Sequence, residues 1–133
     1  MTRKPTILIT GCSTGIGEFC ARRLREDGYR VFATARKPED LKQLSDNGFD
    51  AIYLDYRDAK SIRTAFDAVM NATGGELDAL FNNGAHAQPG AVEDLPVAAL
   101  REQFEANLFG WHELTQMAVA AMRRQGHGRI VHC

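Results

Sequence analysis

Cysteine, charge surplus and long apolar runs are all scarce in these 133 residues, and each shortage removes a class of protein. Only three cysteines occur, Cys12, Cys20 and Cys133. With an odd count and no CxxC pair, they make neither a disulfide framework nor a zinc site, and they fit reduced thiols in the cytoplasm. Basic residues number 16 against 17 acidic ones, a formal net charge of −1. That balance leaves no electrostatic footprint for nucleic acid or for an anionic membrane. The apolar run behind the basic start is Ile7-Leu8-Ile9, too short for a secretory h-region and far too short to span a bilayer. His86, His112, His127 and His132 have no carboxylate or cysteine at ligand spacing, so no metal site is expected. Internal repeats, low-complexity tracts and linkers are missing too.

What remains is an ordinary globular composition, 44% hydrophobic and 25% charged, enough for a single domain over 1–133 with a genuine core. A strand-then-helix rhythm runs along it. Strands are expected at Thr6–Thr10, Arg30–Ala35, Asp50–Leu54 and Leu77–Phe81, and a last one in Arg129-Ile130-Val131-His132-Cys133. Between them, a helix from Gly15 to about Asp27 places Ile16, Phe19, Cys20, Arg23 and Leu24 near one side. Pro38 suits the first position of the next helix, and Asp58 the N-cap of a third reaching about Thr73, with Ile62, Ala65, Phe66, Val69 and Met70 as its apolar stripe. A long helix from Val97 to Arg124 carries Leu100, Phe104, Leu108, Trp111, Leu114, Ala118 and Met122 on one face, with Asn107 in their midst. The alternation indicates an α/β chain with a doubly wound parallel sheet. Right-handed crossovers give the strand order 3-2-1-4-5, a Rossmann fold that stops before a sixth strand.

Thr10-Gly11-Cys12-Ser13-Thr14-Gly15-Ile16-Gly17 stands between the first strand and the first helix. Gly11 permits a sharp exit from the strand, Gly15 lets backbone approach a ligand, and Gly17 lets the helix pack closely. The helix start then offers N–H groups to a pyrophosphate. No Lys-Ser/Thr follows, which argues against a Walker P-loop. Gly-x3-Gly-x-Gly spacing, Asn82-Asn83-Gly84 after the fourth strand and Asn107-x2-Gly110 on the long helix together resemble the short-chain dehydrogenase/reductase family. The resemblance covers essentially the whole chain. It departs from the family at Asn82–Ala85, which reads Asn-Asn-Gly-Ala where the family has Asn-Asn-Ala-Gly.

The resemblance implies an oxidoreductase moving hydride between NADP(H) and a small carbonyl or alcohol substrate. Gly11, Ser13, Thr14, Gly15, Ile16 and Gly17 would hold the pyrophosphate. Arg36, where an acidic residue would select NAD(H), favours the 2′-phosphate of NADP(H) and leaves NAD(H) the second choice. Asp55 and the backbone of Tyr56 would meet the adenine, Asn83 and Gly84 the adenosine ribose, and Asn107 would join the catalytic group. From the residues alone, Asp55 also reads as a turn or cap, Asn83 as an Asx turn, and Asn107 as a structural hydrogen bond or a helix irregularity near Gly110.

In the family a Ser after the fifth strand and a Tyr-x3-Lys pair on the following helix carry the chemistry. These 133 residues contain only Tyr56 and Lys60 at that spacing, on the adenine side, a coincidence. The chain is therefore expected to be the cofactor-binding part of such an enzyme, inactive by itself, prone to self-association, and a homo-oligomer in full-length form. The alternative is a non-catalytic dinucleotide-binding module acting through association. A sugar-nucleotide epimerase, whose loop reads Gly-x2-Gly-x2-Gly, fits the glycine spacing less well.

Overall fold

A computed structural model describes residues 2–133. Strands β1 (Thr6–Ile9), β2 (Arg30–Ala35), β3 (Asp50–Tyr53), β4 (Ala79–Asn82) and β5 (Arg129–His132) alternate with helices α1 (Gly15–Glu26), α2 (Pro38–Asp46), α3 (Ala59–Thr73), α4 (Val97–Phe104) and α5 (Gly110–Gln125). All four strand pairings are parallel and their order is β3-β2-β1-β4-β5, as the crossover argument requires.

Both faces of the sheet are apolar, which is why the strands read as near-continuous β-branched and aliphatic runs. Alternation along β1 divides them. Ile7 and Ile9 join Val31, Ala33, Ala21, Leu44 and Phe49 on the face covered by α1 and α2. Leu8 joins Phe32, Leu80, Ile62, Val69 and Leu114 under α3 and α5. Helix α3 follows its sequence pattern closely. Asp58 caps it by accepting a hydrogen bond from the Lys60 N–H at 2.9 Å, and Ile62, Ala65, Phe66 and Val69 are buried. The β5 edge is more open, with Val131 55% exposed.

Two helices depart from expectation. On α1 the inward face is Gly17 and Ala21, with Cys20 and Leu24 partly covered, while Ile16 and Phe19 are 59% and 71% exposed. Small residues face inward because α1 must sit close to the glycine loop, and the apolar stripe drawn from the sequence was centred about one residue away. The long helix is not continuous either. A π-turn at Glu105–Phe109 separates α4 from α5. One extra residue in the turn rotates what precedes it, so a single stripe through both halves fails. Gly110, Leu114, Ala118, Ala121 and Met122 are buried, whereas Leu100, Phe104 and Leu108 stand about half exposed.

Candidate functional site

The site is assembled where β1, β2, β3 and β4 end. Chain direction reverses sharply at Gly11, whose φ of +67° is open to glycine. The loop is fastened to β2 by the Cys12 N–H donating to the Thr34 carbonyl at 2.8 Å. Beneath it the Cys12 thiol is buried, and burial pushes its pKa up to about 12, so it is a neutral packing group. A Cβ on Gly17 would lie 2.2 Å from the Gly11 carbonyl oxygen. Gly15, at φ +62°, has nothing within 4 Å of where a Cβ would stand. The loop is thus packed tight below and bare above. Thr14 precedes α1 without a side-chain cap, so the first-turn N–H groups stay available to an anion.

A cleft of about 250 Å³ opens beside this loop. From the first loop it takes Gly11, Ser13 and Thr14; from the end of β2, Arg36; after β3, Asp55 and Tyr56; after β4, Asn83 and Gly84. Arg36 is exposed and, among the described residues, makes no ion pair. Asp55 does have a partner. Burial raises its pKa, but bonds from the Arg57 guanidinium and N–H outweigh that and hold the carboxyl below its ordinary value. The Asn83 side chain donates to the carbonyls of Thr10 and Gly11 at 3.1 and 3.2 Å, tying the two loops together. Gly84 offers its carbonyl to the Trp111 indole N–H at 2.7 Å.

Asn107 sits in the π-turn, half-buried. Its Oδ1 accepts from the His86 N–H at 3.1 Å, and its Nδ2 donates to the His86 carbonyl at 2.8 Å and to Gln103 Oε1 at 2.9 Å. Both amide protons are used, and one Oδ1 lone pair is left. Asn107 does not line the cleft; its neighbour Ala106 does, and Asn107 faces a second, apolar groove of about 700 Å³.

Matching against protein families gives the short chain dehydrogenase family over residues 5–133. The chain belongs to the short-chain dehydrogenase/reductase family. It is 38% identical over 126 residues to the uncharacterized oxidoreductase YbbO of Escherichia coli, covering 95% of this chain and 47% of that one. It is 34% identical to the uncharacterized oxidoreductase YusZ of Bacillus subtilis, covering 96% and 48%. Among solved structures, a short-chain dehydrogenase from Streptomyces avermitilis superposes with a TM-score of 0.92 at 33% identity, covering 99% of this chain and 49% of that one. An actinorhodin polyketide ketoreductase variant with NADPH gives 0.88 at 34%, covering 99% and 54%. The chain spans about half the length of the curated relatives it matches.

Within this short-chain dehydrogenase/reductase fold, eight of the sequence-named residues line one cleft. Gly15, Ile16 and Gly17 lie next to it on the first turn of α1 without entering its lining. Sequence reasoning overlooked Thr34 and His86. Thr34 was hidden as one more β-branched strand residue, and His86 had no spacing signal because its contact with Asn107 runs through backbone. Tyr56 and Lys60 form no working pair, since the phenol is buried and bonded to Thr10 and Asn82 while Lys60 is exposed. His127, which has no carboxylate near it in sequence, meets Asp78 at 3.0 Å across 49 positions. No helix among the described residues is long and apolar enough to cross a membrane.

Proposed function

We propose that this chain is the NADP(H)-holding part of a short-chain dehydrogenase/reductase that interconverts a small carbonyl compound and its alcohol. The observation that carries the reading is Arg36, an exposed guanidinium with no ion pair among the described residues, at the mouth of a glycine-floored cleft. A planar fork in that place suits a 2′-phosphate. The NADPH-containing ketoreductase superposed on this chain supports the same choice.

In this reading the first turn of α1, with Ser13, Thr14 and the backbone of Gly15 to Gly17, holds the pyrophosphate. Asp55 and the Tyr56 backbone bound the adenine side, and Asn83 and Gly84 the ribose. When bound, the nicotinamide supplies or accepts hydride. Asn107, whose amide is fixed by His86 and Gln103, has one lone pair left with which to orient a water beside the reacting groups. The 133 residues include no Tyr-x3-Lys facing the cleft, so we assign them cofactor binding without turnover, and homo-oligomeric assembly to the full-length enzyme.

Fluorescence titration tests this. NADPH is expected to bind at least about tenfold tighter than NADH, and Arg36→Ala to weaken NADPH about tenfold while leaving NADH within twofold. Equal affinities for the two cofactors in the wild-type chain refute the assignment of NADP(H). Carbonyl-dependent NADPH oxidation above blank refutes the lack of turnover.

A further inference from the structure

Tyr56 enters the reading above only through its backbone, yet its hydroxyl links the two loops at the ends of β1 and β4 through Thr10 and Asn82. The ring is buried, wedged against Gly84, where a Cβ would come within 3.2 Å of it, and against Trp111 at a centroid distance of 6.0 Å. Its hydroxyl lies 2.7 Å from Thr10 Oγ1 and 2.5 Å from Asn82 Oδ1.

The proton directions follow by elimination. Thr10 Oγ1 accepts from the N–H groups of Asn83 and Gly84, both at 2.9 Å. Those bonds use both lone pairs, so the single Thr10 proton must go to Tyr56. Tyr56 then donates to Asn82 Oδ1. The Asn82 orientation is set independently, because the Thr115 hydroxyl donates to the Trp111 carbonyl at 2.7 Å and so accepts from Asn82 Nδ2 at 3.1 Å. Asn82 Nδ2 also reaches His132 Nδ1 at 3.3 Å on β5. The network is closed, with no buried side-chain polar atom left unpartnered among the described residues.

We infer that Tyr56 is a positioning residue for the dinucleotide cleft: by taking the Thr10 proton it turns both Thr10 lone pairs toward Asn83 and Gly84, and so sets the spacing between the glycine loop and the loop after β4. Both loops line the cleft. Burial pushes the Tyr56 phenol upward, so it stays a donor throughout the working pH range. Without the hydroxyl, the Thr10 proton has only the Phe81 carbonyl at 3.5 Å to turn to, and rotating toward it withdraws a lone pair from the amides. Asn82 Oδ1 loses its donor at the same time.

The inference rests on the cofactor reading for its consequence, but its geometry is testable without cofactor. Amide exchange of the wild-type chain, Tyr56→Phe and Val69→Ala is followed by NMR, with NADPH titration alongside. Val69 is a buried residue of α3 off the cleft lining, so its truncation costs core packing without touching the network. Tyr56→Phe is expected to speed exchange at Asn83 and Gly84 about tenfold and to raise the NADPH Kd about tenfold, the effect of withdrawing one Thr10 lone pair from these amides. Val69→Ala should change both by less than twofold. Unchanged protection in Tyr56→Phe, or equal acceleration in Val69→Ala, overturns the positioning role. A variant-free check is a slowly exchanging Tyr56 phenolic proton in the wild-type spectrum, whose absence overturns it equally. Failure of the wild-type chain to bind NADPH would fall on the cofactor reading, while the exchange data would still decide the role of Tyr56.

Discussion

Among single residues, Gly15 and Gly17 are two positions apart and fail differently when substituted. Gly17→Ala drives a methyl group to 2.2 Å from the Gly11 carbonyl, where backbone rather than a flexible side chain must yield. Overpacking of that kind costs about 1–3 kcal/mol, and the distortion falls on the loop that holds the ligand. Gly15→Ala meets no neighbour and pays only for a left-handed backbone, about 1 kcal/mol. Thermal melts with NADPH titration should therefore show Gly17→Ala losing both stability and binding. Gly15→Ala should keep most of its stability while losing affinity, because its methyl stands on the bare side of the loop. The roles of these glycines were legible in advance, since each follows from spacing between a strand and a helix. Thr10, Tyr56 and Asn82 were not read as a unit, because their bonds join the ends of three strands that are far apart in sequence, and no local period records such a meeting.

For whole elements, a single-sequence reading does well where an element has one buried face and a local cap. Helix α3 has both, and its bounds, N-cap and stripe were all readable. It does poorly where a tertiary demand overrides the period. Helix α1 turns Gly17 and Ala21 inward to approach the loop, so its large apolar residues mislead. The π-turn before α5 arises where Gly110 must pass the Tyr56 backbone; a Cβ there would stand 2.3 Å from the Tyr56 carbonyl oxygen. In the same turn Asn107 clasps both backbone groups of His86 and so anchors the segment entering the 3₁₀ turn at Val92–Asp94. Asn107→Ala is expected to cost about 1–2 kcal/mol, since it unpairs the half-buried His86 N–H and leaves the His86 carbonyl with Gln103 Nε2 alone. Limited proteolysis should then cut between Ala85 and Leu95 faster than in the wild-type chain, with other sites unchanged. Equal cleavage everywhere would deny the anchor.

For the molecule as a whole, the end of the sheet opposite the cleft is closed by one carboxylate. Asp78 accepts from Arg3 Nη1 at 2.8 Å, from the Thr6 N–H at 2.7 Å, from the Thr6 hydroxyl at 2.9 Å and from His127 at 3.0 Å. It thereby joins the start of β1, the lead into β4 and the turn before β5. Burial alone would raise its pKa; the Arg3 guanidinium and the other donors outweigh that and hold it well below the ordinary carboxylate range. A depressed carboxylate contributes stability in full above its unfolded value of about 3.9 and loses it as pH falls through the folded value. His127 has the opposite sign. Asp78, then the Gln125 carbonyl, raise its pKa, so its part is complete below about 6.5 and fades as pH climbs through the folded value. Denaturant melts from pH 2 to 9 should therefore peak between about 5 and 6, falling steeply on the acid side and gently on the alkaline side. Asp78→Ala should cost about 2–3 kcal/mol at pH 7 and flatten the acid limb, because charged hydrogen bonds of this strength vanish with the carboxylate. His127→Gln should flatten only the alkaline limb. An acid limb unchanged in Asp78→Ala would place the pH-sensitive contact elsewhere in the fold.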